Sequence, residues 1–171
     1  MKEEKSVNYL KRDKGFTLIE VLAVIIIIAG LAAIAIPKLV SSTANARQKA
    51  DVATAHQVKA ALDRYQVENG TYPINLKDDD GVVTAAGFIP NYISKLDKAT
   101  TQQVAAGHEG FGVETLEADD TDKTDETVLV IPNTLQPTNI IMIYMASNSL
   151  AAEVRAYDAE LKEILWTSSV D

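Results

Sequence analysis

The sequence contains no cysteine and only two histidines, His56 and His108, among its 171 residues. The lack of cysteine excludes disulfide bonds, thiol nucleophiles and cysteine-ligated metal sites. Two histidines are too few for a histidine-rich metal centre, and neither belongs to a recognisable serine or cysteine catalytic set. We therefore expect neither an enzyme nor a resident cofactor.

Basic residues are also in deficit, with 16 lysines and arginines against 24 acidic residues and a net charge of −8. Sequence-independent nucleic-acid binding requires clustered basic side chains, so no specific nucleic-acid partner is expected. The charge is unevenly distributed. Residues 1–15 carry five basic and three acidic side chains, a net charge of +2, which leaves −10 for residues 16–171.

A long apolar run follows this basic segment. Eighteen of the 21 residues from 16 to 36 are apolar, and Thr17, Glu20 and Gly30 are the exceptions. As a helix the run would be about 31 Å long, close to the roughly 30 Å hydrocarbon core of a bilayer. The preceding basic residues favour a cytoplasmic N-terminus and place everything after Pro37 outside. The run is therefore predicted to be a membrane span or a targeting signal.

Residues 38–69 are rich in alanine, glutamine and charged residues, all of which helices tolerate, so the helix is predicted to continue. Pro37 is expected to bend it, and Asn69-Gly70 to end it. One face carries an apolar stripe that should pack on another layer. The stripe residues are Ala44, Asp51, Ala55, Val58, Leu62 and Tyr65, and the last three define it most sharply.

The remainder is predicted to contain loops and short strands. Residues 75–126 are interpreted as mainly loop, with a turn at residues 78–81, a short helix over 91–99 and an acidic exposed loop over 114–126. Strands are predicted at residues 127–131, 140–146, 153–157 and 162–166. The fold class is therefore α+β: a long N-terminal helix, half membrane-spanning and half amphipathic, packed on a small antiparallel sheet.

The segment Lys14-Gly15-Phe16-Thr17-Leu18-Ile19-Glu20 resembles the processing site of type IV pilins and the related pseudopilins. Farther along, Tyr65 and the stretch Asn69-Gly70-Thr71-Tyr72-Pro73 resemble the family's helix end. The resemblance covers roughly the first 73 residues. It implies that a prepilin peptidase cuts between Gly15 and Phe16 and methylates the new amine, so that Gly15 and Phe16 are the processing residues.

Glu20 has a physical interpretation of its own. A charged carboxylate inside an apolar span costs about 2.5–3.5 kcal/mol unless it finds a partner or lies near the interface. After cleavage, the α-amine of Phe16 would lie four residues away on the same helical face, in the same subunit or in a neighbour. The resemblance implies the intermolecular pairing, which makes Phe16 and Glu20 the assembly residues.

The resemblance implies three segments: a leader over residues 1–15, a transmembrane and filament-core helix over 16–37, and a head over 38–171. It implies a type IV pilus subunit that is a membrane-anchored prepilin before it becomes an extracellular filament. The filament would serve adhesion, motility or DNA uptake. Its partners would be further copies of itself, the peptidase, membrane lipid and, indirectly, an assembly platform and ATPase.

Three alternatives remain open at the level of sequence. One is a major pseudopilin of a secretion or competence system. Another is a secreted protein whose signal peptide ends near the small residues Ala33 and Ala35. The third is an uncut single-span membrane protein with a binding head. Cleavage before Phe16 would distinguish the pilin and pseudopilin interpretations from the other two.

Some residues permit only weaker hypotheses. Gly30 and Pro37 both weaken a helix, and the family resemblance implies that this segment melts in the filament. Thr17 either hydrogen-bonds along the helix or simply occupies its first turn. Four acidic residues are weak candidate Ca²⁺ ligands whose spacing does not fit an EF-hand, and a solvated loop is the preferred interpretation. These four are Asp119, Asp120, Asp122 and Asp125.

Overall fold

The computed structural model describes residues 15–117 and 129–169. It confirms the α+β class, with one helix, α1, followed by two sheets and a short 3-10 helix at Lys98–Thr100. The α-helix spans Leu18–Asn69. The strands are β1 (Lys77–Asp79), β2 (Val82–Thr84), β3 (Phe111–Leu116), β4 (Ile141–Ala146), β5 (Ala152–Tyr157) and β6 (Ile164–Thr167). The chain divides into two compact units, residues 1–41 and 42–171.

Helix α1 ends where the sequence predicts. Gly70 has a φ of +83°, a conformation that glycine adopts without the steric cost of a Cβ atom. Its N–H donates to the carbonyl of Gln66 at 2.8 Å, which satisfies one of the last free carbonyls of the helix. The helix is continuous through Gly30 and Pro37.

In the second unit, one face of α1 forms part of the core. Ala55, Val58 and Leu62 are fully buried, and Tyr65 packs its ring edge-on against Phe88 with 5.8 Å between ring centroids. Val58, Leu62 and Tyr65, which define the predicted stripe most sharply, are therefore confirmed as packing residues. Ala44 is exposed, so the buried face begins later than the stripe suggested. The face is completed by side chains from the central strands, chiefly Ile141, Ile143 and Val154.

The larger sheet has the strand order β3-β4-β5-β6. Strand β4 is central, and all six of its residues are buried. Strands β4, β5 and β6 pair antiparallel, but β3 pairs with β4 in parallel, with Phe111 opposite Ile141 and Leu116 opposite Ala146. The expectation of a purely antiparallel sheet was therefore wrong. Residues 117–140 connect the two strands, a length that suffices to return the chain to the start of β4.

The strands predicted at 140–146, 153–157 and 162–166 are confirmed, with ends shifted by one or two residues. The strand predicted at 127–131 is wrong over its described residues, because 129–131 belong to no strand and β3 occupies the position beside β4 instead. The helix predicted at 91–99 is also wrong, except that the 3-10 helix begins at Lys98. Leu96 pairs with Val83 in an isolated bridge, which requires extended backbone where a helix was expected.

The smaller sheet is the β1–β2 hairpin, and it meets the start of β3 at two glycines. Gly81 and Gly110 have φ values of +78° and +86°. The N–H of Phe111 donates to the carbonyl of Gly81 at 3.0 Å. A Cβ atom on Gly110 would lie only 2.2 Å from the Gly81 carbonyl oxygen, so glycine is required here for both conformation and space.

We expect Gly110→Ala to lower the free energy of unfolding by roughly 2 kcal/mol or more, because strain from positive φ adds to a backbone clash. Gly87→Ala is the matched control. Gly87 has a φ of +84° but no atom within 4 Å of a built Cβ, so it should lose only about 1 kcal/mol. Denaturant unfolding of the purified variants measures both values. Equal losses would contradict the proposed clash.

Candidate functional site at the N-terminal end of the helix

Thr17 and Glu20 form a capping box at the first turn of α1. The Glu20 carboxylate oxygen Oε2 accepts hydrogen bonds from the Thr17 N–H at 2.7 Å and from the Thr17 hydroxyl at 2.8 Å. In return, the Glu20 N–H donates to Thr17 Oγ1 at 3.3 Å. Such boxes satisfy N–H groups that the start of a helix otherwise leaves unpaired. The two residues are therefore one structural unit.

The capping box answers the question that the sequence left open about Thr17, which bonds directly to Glu20. A Thr-x-x-Glu pattern before an apolar run is a recognised sequence signature of a helix start, and it was available at residues 17–20. Only one carboxylate oxygen is used. Glu20 Oε1 accepts no hydrogen bond from the part of the chain that the structure describes. It therefore remains open to a further donor.

Gly15 and Phe16 precede the helix and are exposed. The Phe16 side chain is 88% exposed, and no atom lies within 4 Å of a Cβ built on Gly15. Among the described residues, therefore, no neighbour requires a glycine at that position.

The large apolar side chains from Phe16 to Val40 are all exposed, by between 46% and 88%. A surface of this size is unfavourable in water and indicates a membrane or protein contact. Within the described residues, α1 is the one helix that is long and apolar enough to cross a membrane. Its most apolar 18-residue window has a mean hydropathy of 2.9 and no buried residue.

A metal site can be assessed only within the described residues. No group of three or more histidine, aspartate or glutamate side chains that could hold a metal occurs in residues 15–117 and 129–169. The weak Ca²⁺ candidates Asp119, Asp120, Asp122 and Asp125 lie outside the described residues.

The two tyrosines with large pKa shifts are structural. Burial raises the pKa of the Tyr72 hydroxyl, and its hydrogen bond to Asp63 adds to the effect. Burial likewise raises the pKa of Tyr144, which lies 3.0 Å from the Tyr157 hydroxyl. Both hydroxyls therefore stay protonated at neutral pH, where they hold the core together rather than act as bases.

The two histidines take part in local packing. The ring of His56, which is exposed on α1, lies against Trp166 of β6 with 4.0 Å between ring centroids. His108 Nδ1 lies 2.7 Å from the carbonyl oxygen of Thr138 and donates to it. These contacts connect separate elements of the second unit.

Comparison with known proteins finds one matching family model and several partly similar relatives. Residues 10–36 match the prokaryotic N-terminal methylation motif. The type II secretion system core protein G of Klebsiella pneumoniae is 30% identical over 82 residues, which are 48% of this chain and 59% of that protein. Its counterpart from Aeromonas hydrophila is 36% identical over 80 residues, 47% of this chain and 56% of that protein.

A fimbrial protein of Neisseria meningitidis serogroup B is 34% identical over 85 residues, which are 50% of this chain and 49% of that protein. The chain thus spans about half the length of the curated relatives it matches. No solved structure matches. The similarity includes both a secretion-system protein and a fimbrial protein.

Proposed function

We propose, from the confirmed resemblance of this chain to the type IV pilin family, that it is the major structural subunit of a type IV pilus. The methylation motif over residues 10–36 carries this proposal. Family members of this kind are structural proteins that a prepilin peptidase processes and that polymerise.

The proposed maturation divides the chain into a leader over residues 1–15, a core helix over 16–37 and a head over 38–171. The peptidase cuts the exposed bond between Gly15 and Phe16 and methylates the new amine. Glycine at position 15 serves the peptidase, and no described residue contacts a Cβ built at that position. The basic leader stays in the cytoplasm and the head is translocated.

In the membrane, the capping box reduces the cost of holding Glu20 in an apolar helix, because two donors from Thr17 already bind its carboxylate. In the filament, the free Oε1 atom of Glu20 accepts a hydrogen bond from the α-amine of Phe16 in a neighbouring subunit. The exposed apolar side chains of the first unit then pack against other subunits instead of lipid. An assembly platform and an ATPase add subunits one at a time.

A second candidate is a major pseudopilin of a secretion or competence system. It is favoured by the similarity to two core G proteins of type II secretion systems. Both functions use the same maturation and the same helix packing. They differ in whether a long surface filament results. Electron microscopy of cells lacking this gene tests the choice, because unchanged surface filaments would contradict the major pilus subunit.

N-terminal sequencing and intact mass of the surface-exposed protein test the maturation. We expect a chain that begins at Phe16 with a methylated amine. Gly15→Leu should keep the leader attached, whereas Gly30→Ala is the matched control, since Gly30 also has no neighbour within 4 Å of a built Cβ. A mature N-terminus at Ile36 would instead indicate an ordinary signal peptide, and an intact Met1 an uncut anchor.

A further inference from the structure

The second unit has an open groove beside the part of α1 that runs from Asn45 to Val52. Four helix residues, Asn45, Gln48, Lys49 and Val52, line it, and Leu165 of β6 forms the facing wall. Its volume is about 350 Å³. The four positions follow the spacing i, i+3, i+4 and i+7, so they share one helical face. We call this feature the Lys49 groove.

Lys49 gives the groove a positive charge, and no acidic side chain within the described residues pairs with it. Its side chain is exposed and forms no ion pair or hydrogen bond within residues 15–117 and 129–169. Residues 38–50 contain three basic side chains and no acidic one, whereas residues 51–171 contain 20 acidic and eight basic side chains. The groove is thus a cationic site on a chain whose head is strongly anionic.

The β1–β2 hairpin is complementary to the groove in charge and in polarity. Asp79 of β1 stands opposite Val82 of β2, so the two side chains share a face. Asp79 is exposed and forms no ion pair within the described residues, and Val82 is 39% exposed. An anionic side chain therefore lies beside an apolar one, as Lys49 lies beside Val52 in the groove.

The hairpin is also held by contacts to the rest of the second unit. Its turn residues Asp80 and Gly81 both have positive φ, +47° and +78°, as in the tight turns that suit hairpins. The Val83 N–H donates to the Leu96 carbonyl at 2.8 Å, and Lys98 pairs with Asp80 at 2.7 Å. A segment fixed in this way loses little conformational entropy when it binds.

We propose that the Lys49 groove binds the β1–β2 hairpin of a second copy of this chain. Lys49 pairs with Asp79 of that copy, and Val82 packs against Val52 and Leu165. The contact rests on the proposed function, because it joins heads within a filament of identical subunits. Each pair contributes little alone, but it recurs at every subunit, so its effect on assembly accumulates along the filament.

Charge reversal tests the contact in cells that produce the full-length chain as their sole copy. Lys49→Glu and Asp79→Lys should each reduce the yield of sheared filaments about tenfold or more, because each places like charges together. The combination Lys49→Glu with Asp79→Lys should restore the yield. Normal filaments from either single variant, or no restoration in the double variant, would overturn the proposal.

Two matched controls test specificity. Arg47 is an exposed cation two residues from Lys49, about 200° around the helix, so Arg47→Glu should leave the yield unchanged. Glu117→Lys should not rescue Lys49→Glu, although it adds the same charge on another exposed acidic residue. An equal loss with Arg47→Glu, or rescue by Glu117→Lys, would overturn the hairpin contact. Either result would mean that the filament yield depends on net charge or on attraction to anionic lipid.

Cross-linking tests the contact without disturbing charge balance in most subunits. The chain has no native cysteine, so two differently tagged chains, one with Lys49→Cys and one with Asp79→Cys, can bond only between copies. A heterodimer carrying both tags should form in wild-type filaments that contain a small share of both chains. Its absence from intact filaments would overturn the contact. Absence of any filament from the unmodified chain would instead contradict the proposed function.

Discussion

Glu20→Ala should leave cleavage between Gly15 and Phe16 intact and reduce surface filaments by about tenfold or more. The substitution removes the carboxylate whose Oε1 atom is free to accept a neighbour's α-amine. It also makes the span more apolar, so the uncut and cut forms should both remain in the membrane. The variant subunit would therefore accumulate as a mature, unassembled membrane protein.

Immunoblots of the membrane and of sheared filaments measure the distribution of this variant. Glu20→Gln separates charge from hydrogen bonding, because the amide can still accept from Thr17 but cannot form an ion pair. We expect Gln to assemble almost as poorly as Ala. Filaments at the wild-type level from the alanine variant would contradict a role of Glu20 in assembly.

Asp51→Ala should lower the free energy of unfolding by about 2–5 kcal/mol, the largest expected loss from one head residue. Asp51 is fully buried, and its two carboxylate oxygens accept from the backbone N–H groups of Gln102 at 2.6 Å and of Gln103 at 3.0 Å. Alanine would leave both N–H groups without their acceptor. Since these partners are 51 and 52 residues away, α1 would also lose its attachment to that loop.

Denaturant unfolding of the detergent-solubilised full chain measures this loss. Asp51→Asn keeps one acceptor oxygen and should lose less than alanine. Asp78→Ala is the control, since Asp78 is exposed and should change stability by no more than about 0.5 kcal/mol. A loss for Asp51→Ala as small as that of the control would show that the buried hydrogen bonds do not hold the loop to the helix.

The sequence predicted the parts of the fold in which local pattern and tertiary structure agree. The apolar run and the helix end at Gly70 are local signals, and so are the three C-terminal strands. The turn predicted at residues 78–81 is confirmed only at Asp80 and Gly81, because Asp78 and Asp79 belong to β1. Such elements follow from residue preferences within one continuous segment of the chain.

The errors concern elements that depend on distant contacts. The sequence predicts mainly loop over residues 75–126, a region with glycines at 107, 110 and 112, yet parallel pairing with β4 stabilises strand β3 there. The sequence predicts Asp51 on the packed stripe of α1. Its role as a hydrogen-bond acceptor depends on the backbone N–H of a loop residue 51 positions away. The capping box of Thr17 and Glu20 could have been predicted, since both residues lie within one turn.

The contact between His56 and Trp166 allows intrinsic fluorescence to follow the packing of α1 on the sheet. Trp166 is the sole tryptophan of the 171 residues, so all indole emission comes from one strand at the sheet edge, with a ring from α1 4.0 Å away. Separation of β6 from the helix changes the surroundings of that indole directly. Intrinsic fluorescence therefore reads helix-to-sheet docking at a single position, and labelling is unnecessary.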